Sequence, residues 1–259
     1  MKPIKSTLQY IKTAAMFGIG GGLLIMAFQN CAKINFEEVP LSEAVKDSDI
    51  DVVCDPFSSE TACSSGSGLI GNVFYLPYRF GVDDVNIYNK RNAEYYVEHG
   101  IRVPNLLVQL TRLNIEDRSW LQGFPIGNKG LVADQNGNPL LEYFALNLKG
   151  NLELKGNFAE GEYELAIASD DGAILQLDGR TFIDNDGHHP IRWACSNKSV
   201  TLKKGKKIPV RLLYYQGPRD RIALQVYIRK AIGYADCSER GVGNSTGQWQ
   251  IIPAEFLSH

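Results

Sequence analysis

The stretch GEYELAIASDDGAILQLDGRTFIDNDG, residues 161–187, decides the fold. Its first half sets Tyr163, Leu165 and Ile167 at alternate positions, with smaller or polar residues between them. A period of two belongs to a strand, because successive side chains leave opposite faces of a sheet. After the break at Asp170, Asp171 and Gly172, AILQL resumes the pattern, and Asp178-Gly179 supplies a hairpin turn into RTFID. Downstream, SVTLKKGKKIPVRLLYY (199–215) reads as two strands around the Lys203–Lys207 turn. RIALQVYI (221–228) alternates Ile222, Leu224, Val226 and Ile228 against Arg221, Ala223, Gln225 and Tyr227. Short strands with glycine-centred turns predict a mainly β domain, a sandwich or a barrel. Helical signals are weak and local: NAEYYVEHG (92–100) and PAEFLSH (253–259) each read as a short helix or a turn.

The chain has 259 residues, and 27 Lys and Arg against 29 Asp and Glu give a formal net charge of -2. No overall basic field exists to hold nucleic acid through counterion release. No GxSxG, Walker loop or spaced zinc-protease motif is present, so an enzyme is not expected.

The first thirty residues differ from the rest. Lys2, Lys5 and Lys12 precede the uncharged apolar run 13–28, the layout of an export signal. Glycines interrupt that run, and it is short for a permanent membrane span. Cys31, directly after it, resembles the acylated cysteine of bacterial lipoproteins, although Phe28, Gln29 and Asn30 stand where small residues are usual. The resemblance implies a signal at 1–30 and a lipid anchor on Cys31. It places the protein in a bacterial cell envelope, with the outer membrane favoured over the inner. Cleavage would remove three lysines and take the charge from -2 to -5. The acidic and small residues of 31–67 read as a flexible tether, with an arm packed on the domain as the alternative for its second half.

With Cys31 spent on lipid, Cys54, Cys63, Cys195 and Cys237 form an even set for an oxidising compartment. Three pairings are open; Cys54 with Cys63 and Cys195 with Cys237 is the preferred one, and the close spacing of a four-thiolate zinc site is absent.

FALNLKGNLEL (144–154), the 161–187 stretch with SDDG, LDG and IDNDG in that order, SVTLKKGKKIPVRLLYYQG and IALQVYI together resemble the PA14 domain. This is a β-sandwich module of bacterial toxins, glycosidases and microbial adhesins. GLIGNVFYLP (68–77) looks like its opening strand, and QWQIIPAEFLSH is similar to its end. The resemblance implies an antiparallel β-sandwich with short helices over residues 68–259, carrying an insertion near 78–140. In sugar-binding members the two aspartates of SDDG are joined by a cis peptide and face one calcium ion that also binds sugar hydroxyls. Asp170 and Asp171 are therefore the expected calcium ligands. Adjacent carboxylates repel, so they must point apart or share a cation. The loop QGPRDR offers Gln216 and Asp220 as further ligands.

Other features have plainer readings. Asp184 to Gly187 resembles part of an EF-hand loop but lacks its later Glu, and reads as a turn. His188 and His189 read as an exposed turn, and Lys203–Lys207 as a solvated hairpin tip. Trp120, Trp193, Trp249, Tyr214 and Tyr215 are candidates to stack on sugar rings, but a sandwich core claims most such residues. The expectation is a lipid-anchored envelope protein that binds glycans or another cell-surface ligand through calcium. The alternative is a structural envelope protein whose domain contacts other proteins and binds no sugar. Oligomeric state is not legible.

Overall fold

The alternation at 161–170 becomes strand β7 (Gly161–Asp170), in one of two stacked sheets of a computed structural model. The structure describes residues 50–56, 63–76, 92–119, 121, 126, 130–218, 221–233, 237, 243 and 247–259. The expected signal at 1–30, the expected lipidation site Cys31, most of the expected tether, Trp120 and Asp220 lie outside these residues.

The first sheet contains β1 (Asp51–Cys54), β2 (Leu69–Tyr75), β4 (Leu106–Leu110), β6 (Phe144–Leu152), β8 (Ala173–Leu177), β9 (Arg180–Asn185) and β12 (Ile208–Gln216). Their order is β1-β4-β2-β6-β12-β8-β9. Short β3 (Ile101–Arg102) pairs with β2, and β15 (Leu257–Ser258) with β6. In the second sheet, β7 lies between β10 (Arg192–Cys195) and β13 (Arg221–Lys230). There β11 (Val200–Leu202) also pairs with β7, while β5 (Asn114–Ser119) and β14 (Gln250–Ile251) pair with β13. The architecture is the antiparallel sandwich expected from the sequence; β1 with β4 is a parallel pair.

Between the sheets lies one core. Leu165 and Ile167 of β7 and Leu224, Val226 and Ile228 of β13 meet Leu146 and Leu148 of β6 and Leu212 of β12, all fully buried. Alternation alone leaves the other face of β7 to solvent, but Ala166 and Ala168 there are also fully buried. Their small size admits a cover of Trp193, Trp249 and Tyr227, fastened by the disulfide Cys195–Cys237. Beneath this cover Glu164 and Arg229 form a buried ion pair at 2.8 Å, with the Arg229 guanidinium 3.9 Å from the Trp249 ring centre. Helix α1 (Asn92–His99) covers the outer face of the first sheet, where Tyr96 packs on Tyr215.

Two expected boundaries shift. Residues 51–56 and 63–67 are not a free tether but pack on the domain, the alternative held open for the second half of the tether. β1 joins the sheet beside β4, and the disulfide Cys54–Cys63 closes the arm. Gln109 then holds the arm through Ser64 and Ser67, while Asp55 accepts the Thr111 N–H at 2.8 Å. Nor is 78–140 a simple insertion, because β4 sits within the first sheet and β5 edges the second. Of the two segments expected as a short helix or turn, 92–100 forms the helix α1, and PAEFLSH forms a single 3-10 turn (Ala254–Phe256) followed by β15.

Candidate ligand-binding site

The ends of β5, β7, β9 and β12 and the starts of β6, β8, β10 and β13 converge at one pole. There Asp170, Asp171 and Gly172 carry the chain from the second sheet to the first, and the Asp170–Asp171 peptide is cis. Both side chains are buried.

Asp171 is the hub. Its Oδ1 accepts the His189 N–H at 3.0 Å and lies 2.9 Å from His188 Nδ1; its Oδ2 accepts the Gly217 N–H at 2.7 Å. One carboxylate thus ties the loops after β9 and β12 to the crossing. Glycine at 217 permits this approach, since a Cβ there would stand 2.9 Å from both Asp171 Oδ2 and Tyr215 Oη. Gly172 is constrained in the same way: its Cβ would fall 2.5 Å from Asp186 Oδ1 and 2.7 Å from Gly187 N. The glycine of SDDG therefore exists to seat the IDNDG loop. In that loop Asn185 donates to Ser169 Oγ and to the Arg192 carbonyl, and Asp186 accepts the Ala93 N–H at the start of α1.

Asp170 stands in a different environment. Burial, then the neighbouring carboxylates of Asp171 and Asp117, push it up to about 7, against the pull of His188 and the Ile191 N–H. Burial likewise pushes Asp171 up to about 6, against the Gly217 and His189 amides. Removing carboxylates from water penalises their charged form, and a nearby anion adds to the penalty. A divalent cation at this pole would reverse both effects, so the donor set fits calcium, which prefers anionic oxygens. An ionised carboxylate has about four acceptor positions, and Asp171 has spent three on N–H groups, leaving Asp170 the more available ligand. Among the described residues, the side chains grouped tightly enough to offer three metal ligands are Cys54, Asp55 and Cys63, and there both sulfurs are in the disulfide.

Gln216 is completely buried. Its Oε1 lies 2.5 Å from the Tyr214 hydroxyl, which also reaches the Asp170 carbonyl at 2.5 Å, and its amide donates to the Arg221 carbonyl at 2.9 Å. It ties the end of β12 to Pro218 and to Arg221 at the start of β13. His188 and His189 lie in a loop, as expected, and His188 is exposed; His189 departs from the expectation, since it is buried, and both reach Asp171 at the crossing. Asp117, near Asp170 and paired with Arg221 at 2.7 Å, was also not singled out by the sequence. No local spacing announces these residues, because each reaches the site through strand pairing. Of the aromatic candidates, Trp249, Tyr214 and Tyr215 are core, and Trp193 is partly buried against Tyr227.

Residues 142–240 match the PA14 domain family. The chain carries a PA14 domain. The match ends short of the folded unit, since β1 to β5 precede it and β14 and β15 follow it. The fold is similar to the PA14 sugar-binding domain from an RTX adhesin, with 20% identity and a TM-score of 0.51. That likeness covers 75% of this chain and 99% of the other. It is also similar to the PA14 domain of the MpAFP antifreeze protein, at 16% identity and a TM-score of 0.51, covering 78% of this chain and 95% of that one. Both likenesses extend well beyond 142–240, so the upstream strands belong to the PA14 fold. Among curated proteins no sequence matches this chain.

Proposed function

We propose that the chain is a cell-envelope lipoprotein whose PA14 domain binds carbohydrate through a calcium ion held by Asp170 and Asp171. The observation that carries this reading is the pair of adjacent buried carboxylates at a loop-built pole, where Asp117 adds to their repulsion. Calcium takes about six to eight oxygens, so ligands beyond the two aspartates are required, and sugar hydroxyls are suited to the remaining positions. Asp171 fixes the loops, Gln216 and Tyr214 hold the crossing from beneath, and Asp170 presents charge. The sugar-binding domain of the RTX adhesin, with the same fold, supports a glycan as ligand.

The test is calorimetry of the full chain in neutral detergent, stripped of metal and titrated with calcium, followed by a glycan array with and without chelator. Heat on titration and chelator-sensitive glycan signals are expected. No heat and no change in melting on adding millimolar calcium would end the calcium reading. The structural-envelope alternative would then stand on the Asp171 hub, whose three N–H partners give the motif a purely architectural use.

A further inference from the structure

At the pole opposite Asp170, six cationic side chains gather from three distant parts of the sequence. Lys203, Lys204, Lys206 and Lys207 form the exposed hairpin between β11 and β12. Leu154 bridges to Lys204, which sets Lys155 beside that hairpin. Lys155 and Arg112 line a cleft of about 380 Å³ between the Ser64–Ser67 arm and the C-terminal Glu255, Leu257 and Ser258. Among the described residues, Glu153 stands 3.6 Å from Lys155, Glu160 accepts the Lys204 N–H, and Glu255 lies in the cleft wall. Glu162 is bonded to Ser199 and Thr201 and faces Lys230, and Asp178 sits in the β8–β9 turn, two residues before Arg180. A local excess of positive charge therefore stands out on a chain whose net charge is -2.

We propose that this basic pole docks on an anionic phospholipid surface and turns the Asp170 pole away from the membrane. Clusters of about four to eight Lys and Arg are what anionic headgroups attract. Lysine predominates, and a compact ammonium on a flexible stem suits a diffuse layer of phosphates better than one bidentate partner. The cleft beside the hairpin adds Arg112 and the serine arm, a place for a single headgroup among the surface contacts. The proposal rests on the envelope-anchored reading for the membrane itself. Chain length permits the geometry: residues 32–50 can reach about 60 Å, against roughly 33 Å for the ten-residue strands that span the sandwich.

The lipidated full chain is reconstituted in vesicles of phosphatidylcholine alone or mixed with phosphatidylglycerol, and lysine acetylation is read residue by residue by mass spectrometry. Phosphatidylglycerol should slow labelling of Lys155 and Lys203–Lys207 by about threefold or more, an effect that fades in high salt as screening predicts. The variant K203E/K204E/K206E/K207E should still float with both vesicles and keep its calcium response, yet lose protection at Lys155. Equal labelling on both vesicles overturns the proposal. So does equal protection by inorganic phosphate, which would mark a small-anion site, or by a soluble acidic polysaccharide, which would mark a polymer site. Flotation reports the anchor and calorimetry the calcium site, so neither failure can be mistaken for this one.

Discussion

Asp170 and Asp171 are neighbours with different duties, and substitution separates them. In Asp171→Asn, one oxygen becomes an NH2 group that must face either the Gly217 N–H or the donors at His188 and His189. A buried donor left opposite a donor costs about 1–3 kcal/mol, so urea denaturation of this variant should show a loss of that size. Asp170→Asn should keep the fold and lose the calcium response. The same residues set a pH dependence. Both carboxyls are held above their ordinary values, Asp170 at about 7 and Asp171 at about 6, so the folded state keeps its protons longer than the unfolded state does. Their favourable contribution is complete below the unfolded value near 4 and is lost as pH rises through 6 and 7. The metal-free domain should therefore melt lower at pH 8 than at pH 5, and Asp170→Asn should flatten that slope. Calcium affinity should run the other way, rising from pH 5 to pH 8 as the carboxylates ionise. A melting temperature that rises with pH in the metal-free wild type, unchanged in the variant, would contradict this assignment.

The strands β7 and β13 carry the most revealing element-scale feature. Each has one face in the central core and the other beneath the cover that Trp193 and Trp249 provide. Glu164 on the covered face accepts Arg229 Nε and the N–H groups of Ile232 and Gly233, so its charge is matched on every side. Removing one member of such a pair strands the other in a dry place, at about 3–5 kcal/mol. Arg229→Ala should lower denaturant stability by that amount and expose Trp249, read as a red shift in its fluorescence. Cys195 and Cys237 hold the cover at a separation of 42 residues. Replacing both by serine should cost about 4 kcal/mol on the chain-entropy account of a loop this long. A loss well under 1 kcal/mol would mean that Trp249 and Ile251 hold the cover without the bond.

At the scale of the whole molecule, the sandwich separates two poles, one of buried aspartates and looped backbone, the other of exposed lysines. Strand register sets this polarity, because Asp170 ends β7 at one pole while the Lys203–Lys207 hairpin precedes β12 at the other. Anchoring belongs to the same scale. On the proposed lipid anchor, Cys31→Ser removes the thiol that attachment would require, so the variant should leave the membrane fraction or retain residues 1–30, checked by fractionation and intact mass. Unchanged membrane lipid labelling of that variant would sink the lipoprotein assignment.

The sequence alone determined the strands and their turns, because a period of two and an Asp-Gly turn are local properties of neighbouring residues; that pattern left a sandwich or a barrel, and the resemblance to PA14 domains selected the sandwich. It also singled out Asp170, Asp171 and Gly172, and it favoured the cysteine pairing that the structure contains. Only the tertiary structure decided what covers each face. Alternation at Tyr163, Leu165 and Ile167 reports that β7 has two sides, but the burial of Ala166 and Ala168 depends on Trp249, more than eighty residues downstream. The same limit hid the roles of His188, His189 and Gly217, which meet Asp171 through loops that strand pairing brings to one pole. A carboxylate's partners are set by position in space, and a linear pattern carries spacing along the chain but not the register that folds it.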